Sequence, residues 1–110
     1  MKYFFLVFLL ILLGFNSTLV ASNAELMQAS QIFKKCAKCH GKDGKNLAFG
    51  TSDEIAGQEV EELIDSMNFF KNSKFGKRGV INVMAKQVKN LSDQQIQELA
   101  KYISNLGQKK

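Results

Sequence analysis

Apolar residues open the chain as a nearly unbroken run over residues 3–15, with Gly14 its only small interruption. Further along they become spaced. Leu26, Ala29, Ile32 and Phe33 fall at i, i+3, i+6 and i+7, which predicts a helix over about 25–34. Val60, Leu63, Ile64 and Met67, continued by Phe70 or Lys71, predict a second helix over about 58–70. Its acidic residues take the outer face, and Glu59, Glu61 and Glu62 suit the positive end of the helix dipole. The last helix has the clearest signal. Ser92-Asp93-Gln94-Gln95 reads as a capping box, with Ser92 as N-cap and Gln95 at the third helical position. Ile96, Leu99, Ala100, Ile103 and Leu106 form its apolar stripe, Gly107 is placed to end it, and Tyr102 beside the stripe is positioned to pack on the first helix.

Between these helices the pattern predicts loops. Residues 41–57 carry Gly41, Gly44, Gly50 and Gly57, and residues 71–83 form a second, basic, glycine-containing connection. The chain has no proline and no convincing period-2 run. No internal repeat or linker is visible. The expected class is all-α, in one small domain.

The apolar run at the start is shorter than the about 20 residues a membrane-spanning helix needs. With Lys2 before it and Asn16-Ser17-Thr18 after it, it reads as a secretory signal. Ser22-Asn23-Ala24 places small residues for cleavage after Ala24, with Ala21 as the second choice and retention as an uncleaved anchor as the alternative. The division is then 1–24 signal peptide and 25–110 mature domain. Export points to the periplasm. A domain this short buries little core unaided and calls for a staple.

Cys36-Ala37-Lys38-Cys39-His40 supplies a candidate for it. The two cysteines are the only ones in the chain and His40 is the only histidine. C-x-x-C-H is the spacing at which two thiols capture the vinyl groups of one haem and the next imidazole sits under the iron. Zinc would need about four N or S ligands, and there are three. A thioredoxin-type motif belongs in a βαβ pattern, which is absent from the sequence pattern and leaves His40 unexplained. A disulfide across so tight a loop removes little chain entropy. One covalently attached haem c, with its iron, is the expected cofactor.

The second axial ligand cannot be another histidine from this chain. Thioether sulfur binds haem iron and raises its potential. Beyond the signal the methionines are Met27, Met67 and Met84. Met27 is off the stripe of the first helix, and Met67 lies on the stripe of the second, where methionine is usually core filler. Met84 falls in the expected connecting segment, 44 residues after His40, and is the favoured ligand. The other ring N–H of His40 is expected to donate to a backbone carbonyl.

Charge adds less. The formal net charge is +5. Lys34, Lys35, Lys38, Lys42 and Lys45 surround the motif, and Lys71, Lys74, Lys77, Arg78, Lys86 and Lys89 follow later. Asp53, Glu54, Glu59, Glu61, Glu62 and Asp65 form an acidic run between them. The lysines read either as solubilising charge or as a field that steers acidic partners. A modest net charge without a basic-aromatic array argues against nucleic acid.

Taken together, these residues resemble a class I c-type cytochrome, closest to the bacterial cytochrome c553 group. The resemblance is carried by Phe33-Lys34-Lys35-Cys36-Ala37-Lys38-Cys39-His40-Gly41-Lys42-Asp43-Gly44 and by Ala56-Gly57-Gln58 before the acidic helix. It continues through Val83-Met84-Ala85-Lys86, Leu91-Ser92-Asp93 and Ile96-Gln97-Glu98-Leu99-Ala100-Lys101-Tyr102-Ile103, so it covers essentially the whole mature chain. It implies first and last helices that cross, with Ala29 and Phe33 meeting Leu99 and Tyr102. It implies thioether bonds at Cys36 and Cys39, axial ligands His40 and Met84, and a partly exposed haem edge. Many members carry a proline after the C-x-x-C-H or beside the ligand methionine, where this chain has Gly41 and Ala85.

The expected function is a monomeric, diffusible electron carrier, not an enzyme. Its partners would be redox proteins such as a quinol–cytochrome c reductase, a terminal oxidase, a peroxidase or a dehydrogenase, with no stable membrane insertion after signal cleavage. The alternatives are a haem-based small-ligand sensor and a haem subunit of a membrane-bound redox complex.

Overall fold

The computed structural model describes residues 3–8, 17–74 and 79–108. Most of the opening apolar run, and Phe75, Lys77 and Arg78, lie outside them. Among the described residues, 3–8 are helical and four longer α-helices follow: α1 (Ser17–His40), α2 (Val60–Asn72), α3 (Val80–Val88) and α4 (Asp93–Leu106). A short 3-10 turn (Ala48–Gly50) lies in the loop between α1 and α2. No strand occurs among the described residues, so the all-α expectation holds.

α1 differs from the predicted helix at both ends. It starts at Ser17 rather than at residue 25, and it carries the whole cysteine–histidine motif to His40. Leu26 was expected on the buried stripe but is 55% exposed, and Ser22 to Gln28 are all exposed. Burial begins at Ala29 and continues at Phe33. Gly41 then ends the helix with φ 81°, the left-handed region that glycine enters without a Cβ penalty. The chain folds back on itself there, with the Asn46 N–H donating to the His40 carbonyl at 2.9 Å.

α1 packs against α4, and α2 packs against both α3 and α4. The contact between the first and last helices includes the Phe33 and Tyr102 rings, with centroids 5.4 Å apart and a tilt of 53°. Such tilted pairs satisfy the ring quadrupoles. Leu63, Met67, Ile96, Leu99, Ala100 and Ile103 complete the buried centre. The capping box on α4 is present in full: Ser92 Oγ accepts from the Gln95 N–H at 3.1 Å, and Gln95 Oε1 accepts from the Ser92 N–H at 2.9 Å.

Gly107 does cap α4, but for a different reason from the one expected. Its φ is −81°, which any residue adopts. A Cβ at Gly107 would lie 2.6 Å from the Gly57 Cα. The glycine is needed because two backbones meet there, not because the helix turns left-handed. Gly57 itself donates to the Ile103 carbonyl at 3.4 Å, pinning the loop before α2 to the end of α4.

The larger departure is α3. The pattern predicts a loop through residue 83 and a connecting segment at Met84, yet residues 80–88 are helical. Met84 therefore sits on a helix that packs on α2.

Candidate functional site

Because α1 continues through the motif, Cys36, Cys39 and His40 occupy helical positions i, i+3 and i+4. Such positions share one face. All three line a cavity of about 500 Å³. Met84 lines it as well, from α3. The four residues expected to bind a cofactor, spread over 49 positions of sequence, thus converge on one space.

The walls are mostly apolar. α2 contributes Leu63, Met67 and Phe70, and α4 contributes Leu99 and Ile103. A space of this size and lining suits a planar, largely apolar cofactor fixed by a few polar groups. Of the three candidate methionines, Met27 is exposed on α1 and does not line the cavity. Met67 does line it, but is also buried in the central apolar cluster. Met84 is only half-buried and is not part of that cluster, which leaves its thioether available to a ligand.

The electrostatics fit a metal-binding imidazole. His40 is buried, and burial pulls its pKa below the ordinary value, which keeps the ring neutral with a lone pair to give. Its Nδ1 is buried without a hydrogen-bond partner, so the expected bond to a backbone carbonyl is not made. The loop that turns under the ring brings the Asn46 N–H to the His40 carbonyl, not an acceptor to the ring. A buried ring nitrogen without a partner is costly in an all-protein setting. Burial pushes the Cys36 thiol up, against the opposing field of Lys35, and its Sγ sits 3.8 Å from the Ile32 carbonyl. Cys39 is exposed. The two thiols are unbridged and share the cavity face with His40. No cluster of three or more His, Cys, Asp or Glu that could hold a bare metal ion occurs among the described residues. These features fit covalently held haem rather than a protein-only metal site.

The lining also includes residues that no sequence pattern assigned to the site. Phe49 lines the cavity while 63% exposed, and its φ of 56° is the only left-handed value among the described non-glycine residues. Holding an aromatic residue there costs about 1–3 kcal/mol, and such outliers cluster at functional sites. Its one sequence signal is an aromatic side chain set among loop glycines. Lys35, one of the lysines around the motif, also lines the cavity and donates to the Gln87 carbonyl on α3 at 2.8 Å.

A helical fold built around a C-x-x-C-H face and an apolar cavity defines a class of covalent-haem proteins. The Cytochrome c family model matches residues 26–107. The chain is 31% identical to a cytochrome c-553 of Nitratidesulfovibrio vulgaris over 85 residues, covering 77% of this chain and 82% of that protein. It is 32% identical to a cytochrome c-553 of Helicobacter pylori over 94 residues, covering 86% of this chain and 88% of that one. A cytochrome c-552 of Acidithiobacillus ferridurans is 33% identical over 72 residues, covering 64% of this chain and 28% of that protein. The chain belongs to the cytochrome c family, as a class I c-type cytochrome close to the c-553 group. It is accordingly a monohaem electron carrier with covalently attached haem c, not an enzyme.

Proposed function

We propose that this cytochrome shuttles single electrons in the periplasm, with Cys36 and Cys39 carrying the haem as thioethers and His40 and Met84 as its axial ligands. The observation that carries the reading is the convergence of these four side chains on one apolar cavity. When bound, haem supplies a one-electron iron couple whose potential a thioether ligand raises. The protein's part is to bind, orient and keep out water. His40 offers a neutral imidazole from the end of α1. Leu63, Phe70, Leu99 and Ile103 present an apolar wall that lowers the local dielectric and disfavours added charge. Two protein ligands leave no open coordination position, which favours electron exchange at an edge over substrate binding.

Lys35 and Lys38 border the cavity with Asp53 opposing them, which leaves the charged lining side chains net positive. That charge steers an acidic surface of a redox partner, such as a quinol–cytochrome c reductase, terminal oxidase, peroxidase or dehydrogenase, and the rate it adds weakens with salt. Residues 1–24 act as the export signal. Two observations support that division. Residues 3–8 and 22–24 are all exposed, and the buried core among the described residues starts at Ala29. The family match also begins just beyond it, at residue 26. No helix among the described residues is long and apolar enough to cross a membrane.

Met84→Ala is the direct test. The ferric protein should lose its methionine–iron charge-transfer band, and the reduced protein should gain carbon monoxide binding. An unchanged spectrum would reject Met84 as ligand and turn attention to Met67, the other thioether at the cavity.

A further inference from the structure

α3 is the shortest α-helix of the site, and its buried anchors are Ala85 and Val88. It has nine residues, and its N-cap is Gly79, which offers no side-chain cap. It packs on α2. Across the cavity, Lys35 Nζ on α1 donates to the Gln87 carbonyl of α3 at 2.8 Å, between residues 52 apart in sequence. Gln87 is three positions beyond Met84, in the last turn of α3. Carbonyls at a helix C-terminus lack intrahelical donors and carry partial negative charge, so a lysine ammonium is a well-matched partner. The Leu91 N–H, which would reach Gln87 if the helix continued, donates to Val88 instead. Lys35 directly precedes Cys36, and both Lys35 and Gln87 line the cavity.

We propose that Lys35 is a positioning residue, a latch that ties the Met84-bearing helix to the helix bearing Cys36, Cys39 and His40. It touches neither iron nor thioether. It acts by opposing the outward swing of α3 that would release Met84. The proposal rests on Met84 as the axial ligand.

The test uses the ferric holoprotein titrated with imidazole, which competes with Met84 for the iron. Lys35→Gln should bind imidazole about fivefold more tightly than wild type, the size expected for one exposed charge-assisted bond at a helix end. Lys35→Arg keeps a donor of similar reach and should stay within about twofold of wild type. Lys34→Gln removes the same charge one residue away, from a side chain that does not line the cavity, and should also stay within about twofold. Wild-type affinity in Lys35→Gln, or an equal increase in Lys34→Gln, overturns the latch. Met84→Ala separates the two failures. If it loses the methionine–iron band while Lys35→Gln binds imidazole like wild type, the latch falls and the ligand assignment stands. If it keeps the band, both fall.

Discussion

The two walls of the cavity are built in opposite ways. The His40 wall is the end of a 24-residue helix whose proposed haem-binding residues lie within five positions of sequence and whose inner face is held by the Phe33–Tyr102 contact with α4. The Met84 wall is a nine-residue helix with no side-chain cap, packed on α2 and joined to α1 by a lysine. One wall is fixed along a long helix pair at the fold's centre, while the other reaches the core through Ala85 and Val88 of a short helix. Stability should therefore depend on the first wall and ligand retention on the second.

Core truncations probe that division with the largest expected effect. Leu99 is almost fully buried and also lines the cavity, so Leu99→Ala should cost about 2–5 kcal/mol in denaturant unfolding of the holoprotein. Ile81 on α3 is exposed, and Ile81→Ala should stay within about 0.5 kcal/mol. Equal losses at the two sites would erase the contrast. Gly107→Ala comes next. Its Cβ would press on the Gly57 backbone, which cannot rotate away as a side chain could, so a loss of about 1–3 kcal/mol is expected in the same unfolding measurement. A smaller loss, about 1 kcal/mol, should follow Ser92→Ala, because the N-cap bond to Gln95 is removed and α4 starts as bare as α3.

The same contrast explains what could be read in the sequence. α4 was legible because its capping box, apolar stripe and final glycine agree with one another. Ala29 and Phe33 were legible as the buried face of α1. The start of α1 was not, because no breaker separates Ser17–Ala24 from the helix that follows and the exposed Leu26 imitates a core position. The motif's helical setting was missed too, although a helix makes its spacing meaningful by putting residues 36, 39 and 40 on one face. α3 was the principal omission. Val83, Met84, Gln87 and Val88 do share one helical face, but that face looks into the cavity, and Val83 and Ile81 remain exposed. The helix is short, and its apolar positions are divided between the cavity and the core, where Ala85 and Val88 are buried. Elimination among thioethers singled out Met84, and the structure brings it to the cavity on a helix the sequence did not show. The Lys35–Gln87 bond had no sequence signal, since its acceptor is a backbone carbonyl.

The assignment of two protein ligands to one iron is the centre of this account, and a potentiometric titration of Met84→Ala beside Met67→Ala tests it most directly. Axial ligands move haem potentials across a range of roughly 0.8 V, so Met84→Ala should lower the midpoint by on the order of 0.1 V while Met67→Ala, a core change, shifts it far less. A Met84→Ala midpoint equal to wild type, with the drop appearing in Met67→Ala instead, would contradict the account.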